Sequence, residues 1–256
     1  MAAFSDRELE RYMRHILLRE VGGTGQRRLK EAHVIVVGAG GLGVPVLMYL
    51  AAAGVGRITV VDDDLVSRSN LQRQVIYTEA DIGQPKVAVA ARWLMAQNPD
   101  VEILPIEARL TAEMAADMFE NCQLVIDGCD NFPTRYLVNQ ACVTARVPLL
   151  SGAITQWEGQ LSLYDPARGA PCFACVFPEP PAEGLAPSCA EAGVIGALPG
   201  VLGAHMAAEA IKEITGAGQS LRGSLQMVDI LWGENRRIKL TRAPDCAICG
   251  GKPHGI

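Results

Sequence analysis

Five short apolar runs recur over the first 153 residues, and a stretch with helical spacing separates each from the next. HVIVVG, residues 33–38, is continuous and β-branched, the pattern of a strand buried on both faces. ITVVD (58–62), VEILPI (101–106), QLVIDG (123–128) and PLLSGA (148–153) repeat the type. Between them the spacing predicts helices over 42–53, 84–97, 111–119 and 134–146. Pro85 suits a first helical turn, where its missing N–H costs nothing. Ahead of the first strand, Ser5 and Glu8 have capping-box spacing and open a helix over 5–20, followed by a short basic helix over 25–31. Strands alternating with helices at crossover length predict a mostly parallel sheet with helices on both faces. The pattern changes after Gly152. GQLSLYD alternates like an antiparallel strand, and 178–187 is Pro-rich and aperiodic, as a mobile loop would be. Residues 193–215 read as a helix broken near Pro199–Gly200, and SLQMVDIL with RRIKL as a closing antiparallel hairpin.

Composition narrows the partners. Lys+Arg number 23 against 28 Asp+Glu, a net charge of −5, which argues against nucleic acid or anionic lipid as the main partner. Apolar residues make up 49% and charged ones 20%, enough for a sizeable core and too little charge for a disordered chain. Aromatics at 5% argue against a base-stacking platform. Residues 34–56 carry no charge and are long enough to span a bilayer, but six glycines and Pro45 divide them into strand, turn and helix, so no membrane span is expected. The charged N-terminus shows no apolar signal core, so a cytoplasmic chain is expected. Eight cysteines are too dilute for a disulfide scaffold, in keeping with a reducing compartment.

Chemistry concentrates where strands end. Gly38-Ala39-Gly40-Gly41-Leu42-Gly43 is a GxGxxG that closes one strand and opens a helix. Its glycines permit a tight turn and bring phosphates to the free N–H groups of a helix N-terminus. Asp62 ends the next strand, the place for a carboxylate that binds ribose hydroxyls. The chain is therefore expected to be a Rossmann-like α/β protein, a single unit over 1–256. Its parts are N-terminal helices over 5–31, a nucleotide-binding core over 33–153 and an antiparallel extension over 154–256. A glycine turn that merely packs a helix on a sheet is the plain alternative, and the motif alone would serve NAD, FAD or ATP. The residues beyond the second strand depart from a dehydrogenase. Ser69-Asn70-Leu71-Gln72-Arg73-Gln74, Lys86 and Asp130-Asn131 all fall at the ligand edge of such a sheet. Two cations beside a carboxylate suit a triphosphate with Mg²⁺. Taken singly, Lys86, Arg73 and Asp130 also read as ordinary surface or turn residues; their common edge is what favours a site.

Cys172-x-x-Cys175 and Cys246-x-x-Cys249 are two knuckles with 70 residues between them. Four thiolates in two such pairs make a closed, structural Zn²⁺ site. A redox CxxC is the rival, but it stands alone on a helix N-terminus. Cys122, Cys129 and Cys142 lie in or beside apolar elements and read as small buried hydrophobes. Cys189, in PSCAEAG just before a helix, is the one candidate nucleophile; the alternative is an exposed thiol without a role.

GAGGLG, SNLQRQ, GQPK, DGCDN and the paired knuckles together resemble the MoeB/ThiF/HesA family, similar in turn to the adenylation domain of ubiquitin-activating enzymes. The resemblance runs from RYMRHI to CAIC and is most similar to the branch that adenylates the small subunit of molybdopterin synthase. It implies that the Gly-Gly carboxylate of a small ubiquitin-like sulfur carrier attacks the α-phosphate of ATP, giving an acyl-adenylate and pyrophosphate ahead of thiocarboxylation. It implies further that Gly41 lies in the phosphate loop, that Asp62 holds ribose, and that Ser69 to Arg73 line the nucleotide with Asn70 and Arg73 toward phosphate. Lys86 would bind phosphate, and Asp130 would hold Mg²⁺ beside Asn131. Arg14 matches an arginine supplied across a homodimer interface; from the residues alone it reads as a solvated helix position. No sulfur-delivering domain is expected after Cys249, so a separate donor, a cysteine desulfurase or rhodanese-type protein, is expected unless Cys189 takes part. A thiamine-pathway, tRNA-thiolation or secondary-metabolite carrier stays open as substrate. An NAD-dependent oxidoreductase and a non-catalytic scaffold are the readings from other classes.

Overall fold

The computed structural model describes residues 4–181 and 192–250. Two helices, α1 (Asp6–Ile16) and α2 (Gly22–Glu31), lead into β1 (His33–Val37), α3 (Gly43–Ala53), β2 (Arg57–Val61), α4 (Lys86–Gln97) and β3 (Glu102–Ile106). Next come α5 (Ala112–Phe119), β4 (Leu124–Asp127), α6 (Phe132–Ala145), β5 (Leu149–Thr155) and β6 (Glu158–Tyr164). The short α7 (Phe173–Val176), the long α8 (Ala197–Thr215), β7 (Ser224–Asp229) and β8 (Glu234–Lys239) complete the order.

The eight strands form one sheet in the order β3-β2-β1-β4-β5-β6-β7-β8. Its first five strands are parallel, and β6, β7 and β8 are added antiparallel. The expected Rossmann-like sheet with an antiparallel extension is thus the observed fold. Because side chains alternate along a strand, β1 feeds two apolar layers. Val34 and Val36 join Leu47, Leu50, Leu94, Leu202 and Met206 on one face. Ile35 and Val37 join Phe119, Val138 and Leu149 on the other. Each fully buried Leu, Ile or Val contributes about 1.5–3 kcal/mol, so the central strands are held from both sides.

Three local differences from the sequence pattern have physical reasons. The helix expected over 5–20 keeps its capping box, with Ser5 N–H 2.8 Å from Glu8 Oε2, but it ends at Ile16. Tight turns over 17–21 then lead to Gly22, whose φ of +58° suits glycine, and α2 starts there rather than at residue 25. α8 is not broken at Pro199–Gly200; it starts at Ala197, so Pro199 lies in the first turn, where no helical N–H is missed. The uncharged stretch over 34–56 resolves into β1, a glycine turn and α3, and no described helix is long and apolar enough to cross a membrane. Cys189 and most of the Pro-rich 178–187 stretch lie outside the described residues.

Candidate functional site

Strand order reverses between β1 and β4, and a cleft of about 1110 Å³ opens beyond the carboxyl ends of these strands. The glycine turn between β1 and α3 forms its floor. A Cβ on Gly43 would stand 1.8 Å from the Gly38 carbonyl oxygen, so only glycine lets the turn close this tightly. The backbone N–H groups of Gly40, Gly41 and Leu42 take no partner among the described residues and precede the N-terminus of α3. Free amides and a helix N-terminus together favour an anion.

Asp62 follows β2 directly. One carboxylate oxygen accepts from the Ala39 N–H at 2.6 Å and the other from the Asp64 N–H at 2.8 Å. Burial pushes its carboxyl above the usual range, opposed by the Ala39 amide and by Lys86. Lys86 is only 4% exposed although it opens α4. Its Nζ lies 2.6 Å from Asp64 Oδ2, which holds the ammonium group at the cleft wall. The segment between β2 and α4 supplies Asn70 and Arg73. The Asn70 carbonyl accepts from the N–H groups of Arg73 and Gln74, both at 3.0 Å, and Arg73 Nη1 donates to the Ser69 carbonyl at 3.1 Å.

Gly38, Gly40, Gly41, Asp62, Asn70 and Arg73 all line the cleft, as do Lys86, Asp130 and Asn131. Gly43, Ser69, Leu71 and Gln72 do not. Gly43 starts α3. Ser69 Oγ pairs with Ser67 Oγ at 3.0 Å, Leu71 packs beside Val44 and Tyr77, and Gln72 sits under Gly196. Asp130 is exposed at the mouth, free to meet a cation. Asn131 is the N-cap of α6, its Oδ1 accepting from the Thr134 N–H at 3.0 Å, so its carbonyl oxygen is already engaged.

Arg14 lies elsewhere in its own chain. Tyr12 ties α1 to Asn98, whose Nδ2 donates to Tyr12 Oη at 2.8 Å just past the end of α4. Lys86 opens that same 12-residue helix, so Tyr12 meets α4 at the end opposite Lys86, and Arg14 is not among the residues that line the cleft.

Several contributors escaped the sequence pattern. Asp127, fully buried at the end of β4, accepts from Ser151 Oγ at 2.7 Å and lies 3.3 Å from Arg135 Nη1. Its other oxygen takes the Cys129 N–H at 3.0 Å, and Arg135 Nη2 donates to the Cys129 carbonyl at 2.6 Å. This pair anchors the loop that presents Asp130. The signal was an acid ending an apolar strand with a basic residue eight positions on, inside a helix. Tyr77 Oη donates to the Ala39 carbonyl at 2.8 Å, bracing the glycine turn, and nothing in its sequence surroundings marks it.

Cys172, Cys175, Cys246 and Cys249 converge next to α6, with all four Sγ atoms within 4.8 Å of one another. The Sγ–Sγ distances of 3.8, 3.6 and 3.4 Å approach the edge of about 3.8 Å that a tetrahedron with Zn–S of about 2.3 Å requires. Burial pushes Cys172 and Cys175 up. In Cys246 burial is outweighed by the amides of Cys249 and Ile248, which hold its thiol down at about 7. The donor set fits Zn²⁺. Cys122 and Cys142 are buried in the apolar layer.

Fold and cleft are those of an α/β protein of the nucleotide-binding type, with the cations Arg73 and Lys86 lining the cleft beside the glycine turn. The model of the ThiF family matches residues 12–248, and the chain belongs to that family. It is 51% identical over 250 residues to the sulfur carrier protein adenylyltransferase of Thermus thermophilus, covering 96% of this chain and 92% of that one. It is 46% identical to the SAMP-activating enzyme E1 of Haloferax volcanii, covering 95% and 89%. It is also 48% identical to the adenylyltransferase and sulfurtransferase MOCS3 of Mus musculus, covering 98% of this chain but 55% of that longer protein. Among solved structures, E. coli MccB with ATP superposes with a TM-score of 0.78 at 24% identity, over 89% of this chain and 68% of that one, a likeness of fold.

Proposed function

We propose that this chain is an adenylyltransferase that activates the C-terminal Gly-Gly carboxylate of a small ubiquitin-like sulfur carrier with ATP, releasing pyrophosphate. The observation that carries the reading is the convergence of free glycine-turn amides, Arg73 and Lys86 on one cleft with Asp130 at its mouth. The names of the Thermus, Haloferax and mouse relatives support it. A carboxylate nucleophile is already ionised, so no general base is needed. The obstacle is repulsion between two anions and the alignment of attack on the α-phosphate. The glycine-turn amides and the Lys86 ammonium hold phosphoryl oxygens, Arg73 adds charge beside them, and the Asp62 carboxylate orients the ribose hydroxyls. Asp130 would hold Mg²⁺, which supplies further neutralisation of the triphosphate. Zn²⁺ at the four thiolates is structural, since it leaves no open position.

Arg14 is not among the residues that line its own cleft, and on this reading it completes the cleft of a second copy in a homodimer. The whole of 1–256 acts as one adenylation unit in the cytoplasm, and a separate protein delivers sulfur. The small subunit of molybdopterin synthase is the proposed carrier. ATP–pyrophosphate exchange with purified protein, Mg²⁺ and individual Gly-Gly-ending carriers tests all of this. Exchange with the molybdopterin carrier and not the others is expected. Exchange with a thiamine-type carrier alone reassigns the substrate, and none with any carrier overturns the reading.

A further inference from the structure

The helix α1 is fastened to the body of the protein through one face. Tyr12 is only 4% exposed, and its ring lies on Gly54, where a Cβ would stand 2.7 Å from Tyr12 Cε1. Gly54 ends α3 with a φ of +80°, so one glycine serves both the turn and the ring above it. Tyr12 Oη accepts from Asn98 Nδ2 at 2.8 Å, and the fully buried Asn98 also donates to the Ala51 carbonyl at 2.7 Å. On the turns to either side, Glu8 Oε1 lies 2.6 Å from Lys30 Nζ, Arg11 Nη1 donates to the Gln97 carbonyl at 3.1 Å, and His15 Nδ1 lies 3.2 Å from Gln26 Oε1. Arg14 stands among these residues, yet it is exposed and makes no hydrogen bond or ion pair among the described residues.

A helix of 11 residues is marginal in water by itself, so its contacts with the body decide how α1 lies. Tyr12 is the one aromatic wedge among those contacts, and its hydroxyl reaches the buried cap of α4. Successive residues turn about 100° around a helix axis, so Tyr12 and Arg14 point about 200° apart. With Tyr12 locked inward, Arg14 is turned away from its own chain, toward the side that a second copy can occupy. An arginine on a loosely held helix would lose much freedom on engaging an anion. Fixing the helix beforehand lowers that cost and sets the alignment.

We infer that Tyr12 is a positioning residue, which fixes the rotation of α1 so that Arg14 is presented to the cleft of the second copy; the inference rests on the homodimer reading above. Tyr12→Phe keeps the ring on Gly54 and removes the hydroxyl, and should slow pyrophosphate exchange about 2–10-fold, as the loss of one hydrogen bond would. Tyr12→Leu removes both and should slow it up to about 100-fold. The deciding readout is a mixture of either variant with Asp130→Ala. In a mixed dimer the Tyr12-substituted chain keeps its own Asp130 and receives a correctly held Arg14 from its partner. Exchange by the mixture should therefore exceed the mean of the two proteins measured separately. A residue that merely supports its own cleft would give that mean and no more. Mixtures at the mean, unchanged exchange in Tyr12→Phe and Tyr12→Leu alike, or a loss that tracks dissociation of the dimer in sedimentation would overturn the positioning role. Tyr12→Phe, the milder change, keeps the inference testable should Tyr12→Leu fold poorly. Full exchange by Arg14→Ala would instead bring down the arginine from the second copy, and the role of Tyr12 with it, while leaving adenylation itself in place.

Discussion

Replacing Arg135 by Met should cost this protein more stability than any other single change at the cleft. The substitution keeps an unbranched side chain and removes the guanidinium. Asp127, fully buried, would retain Ser151 Oγ at 2.7 Å and the Cys129 N–H at 3.0 Å but lose the cation 3.3 Å away. Removing one partner of a buried ion pair costs about 3–5 kcal/mol, because the other charge is left uncompensated. The Cys129 carbonyl, which takes Arg135 Nη2 at 2.6 Å, also loses its donor. For a chain of 256 residues, about 2–4 °C per kcal/mol translates this into a fall in Tm of roughly 6–20 °C. Asp127→Asn removes the stranded charge, so Arg135→Met in the Asp127→Asn background should cost at least about 2 kcal/mol less than it does alone. Urea unfolding of the four proteins of this double-mutant cycle, with m held equal, measures the coupling. Additivity within about 0.5 kcal/mol would refute the argument that the pair is a charge-compensated unit. Pyrophosphate exchange by Arg135→Met, measured well below its Tm, should fall as well, because the loop carrying Asp130 loses its anchor.

Asp130→Ala should abolish exchange while thermal unfolding stays as in the unsubstituted protein; normal exchange would remove Asp130 from the Mg²⁺ role. Arg14→Ala should be inactive alone, yet mixing it with Asp130→Ala should restore part of the activity, since a mixed dimer keeps one complete cleft. No recovery in such mixtures would count against an arginine from the second copy. Cys246→Ser should lose bound Zn²⁺ and melt lower, and chelator treatment of the unsubstituted protein should reproduce that melting curve; unchanged metal content would dismiss the four-thiolate site.

The legible part of this chain is the part governed by period and spacing. β1 is readable because a strand buried on both faces must be apolar at every position, and Val34 to Val37 are. The glycine turn, Asp62, Lys86 and the knuckles are readable because each constrains residue type at a fixed offset. Tertiary convergence is not readable. Arg135 carries the same letter as a surface arginine, and only the closure of β4, β5 and α6 around it buries it against Asp127 and Ser151. Tyr77 and Asp64 act through backbone and side-chain partners brought near by turns that leave no periodic trace. The end of α1 and the start of α8 depart from the sequence pattern because single Gly and Pro residues mark helix ends only within a few positions.

An eight-stranded sheet has two edges, and each invites a neighbouring molecule to add a strand. On one edge β3 carries Pro105, which has no N–H to offer an incoming chain. On the other, every residue of β8 is exposed, and Glu234, Arg236, Arg237 and Lys239 make four of its six positions charged. A second copy laid alongside β8 would have to bury these groups or oppose like charges across strands. Crowded or partly loosened molecules of this protein are thereby kept from joining sheet to sheet, and the antiparallel strands are carried without the aggregation that a bare edge would bring.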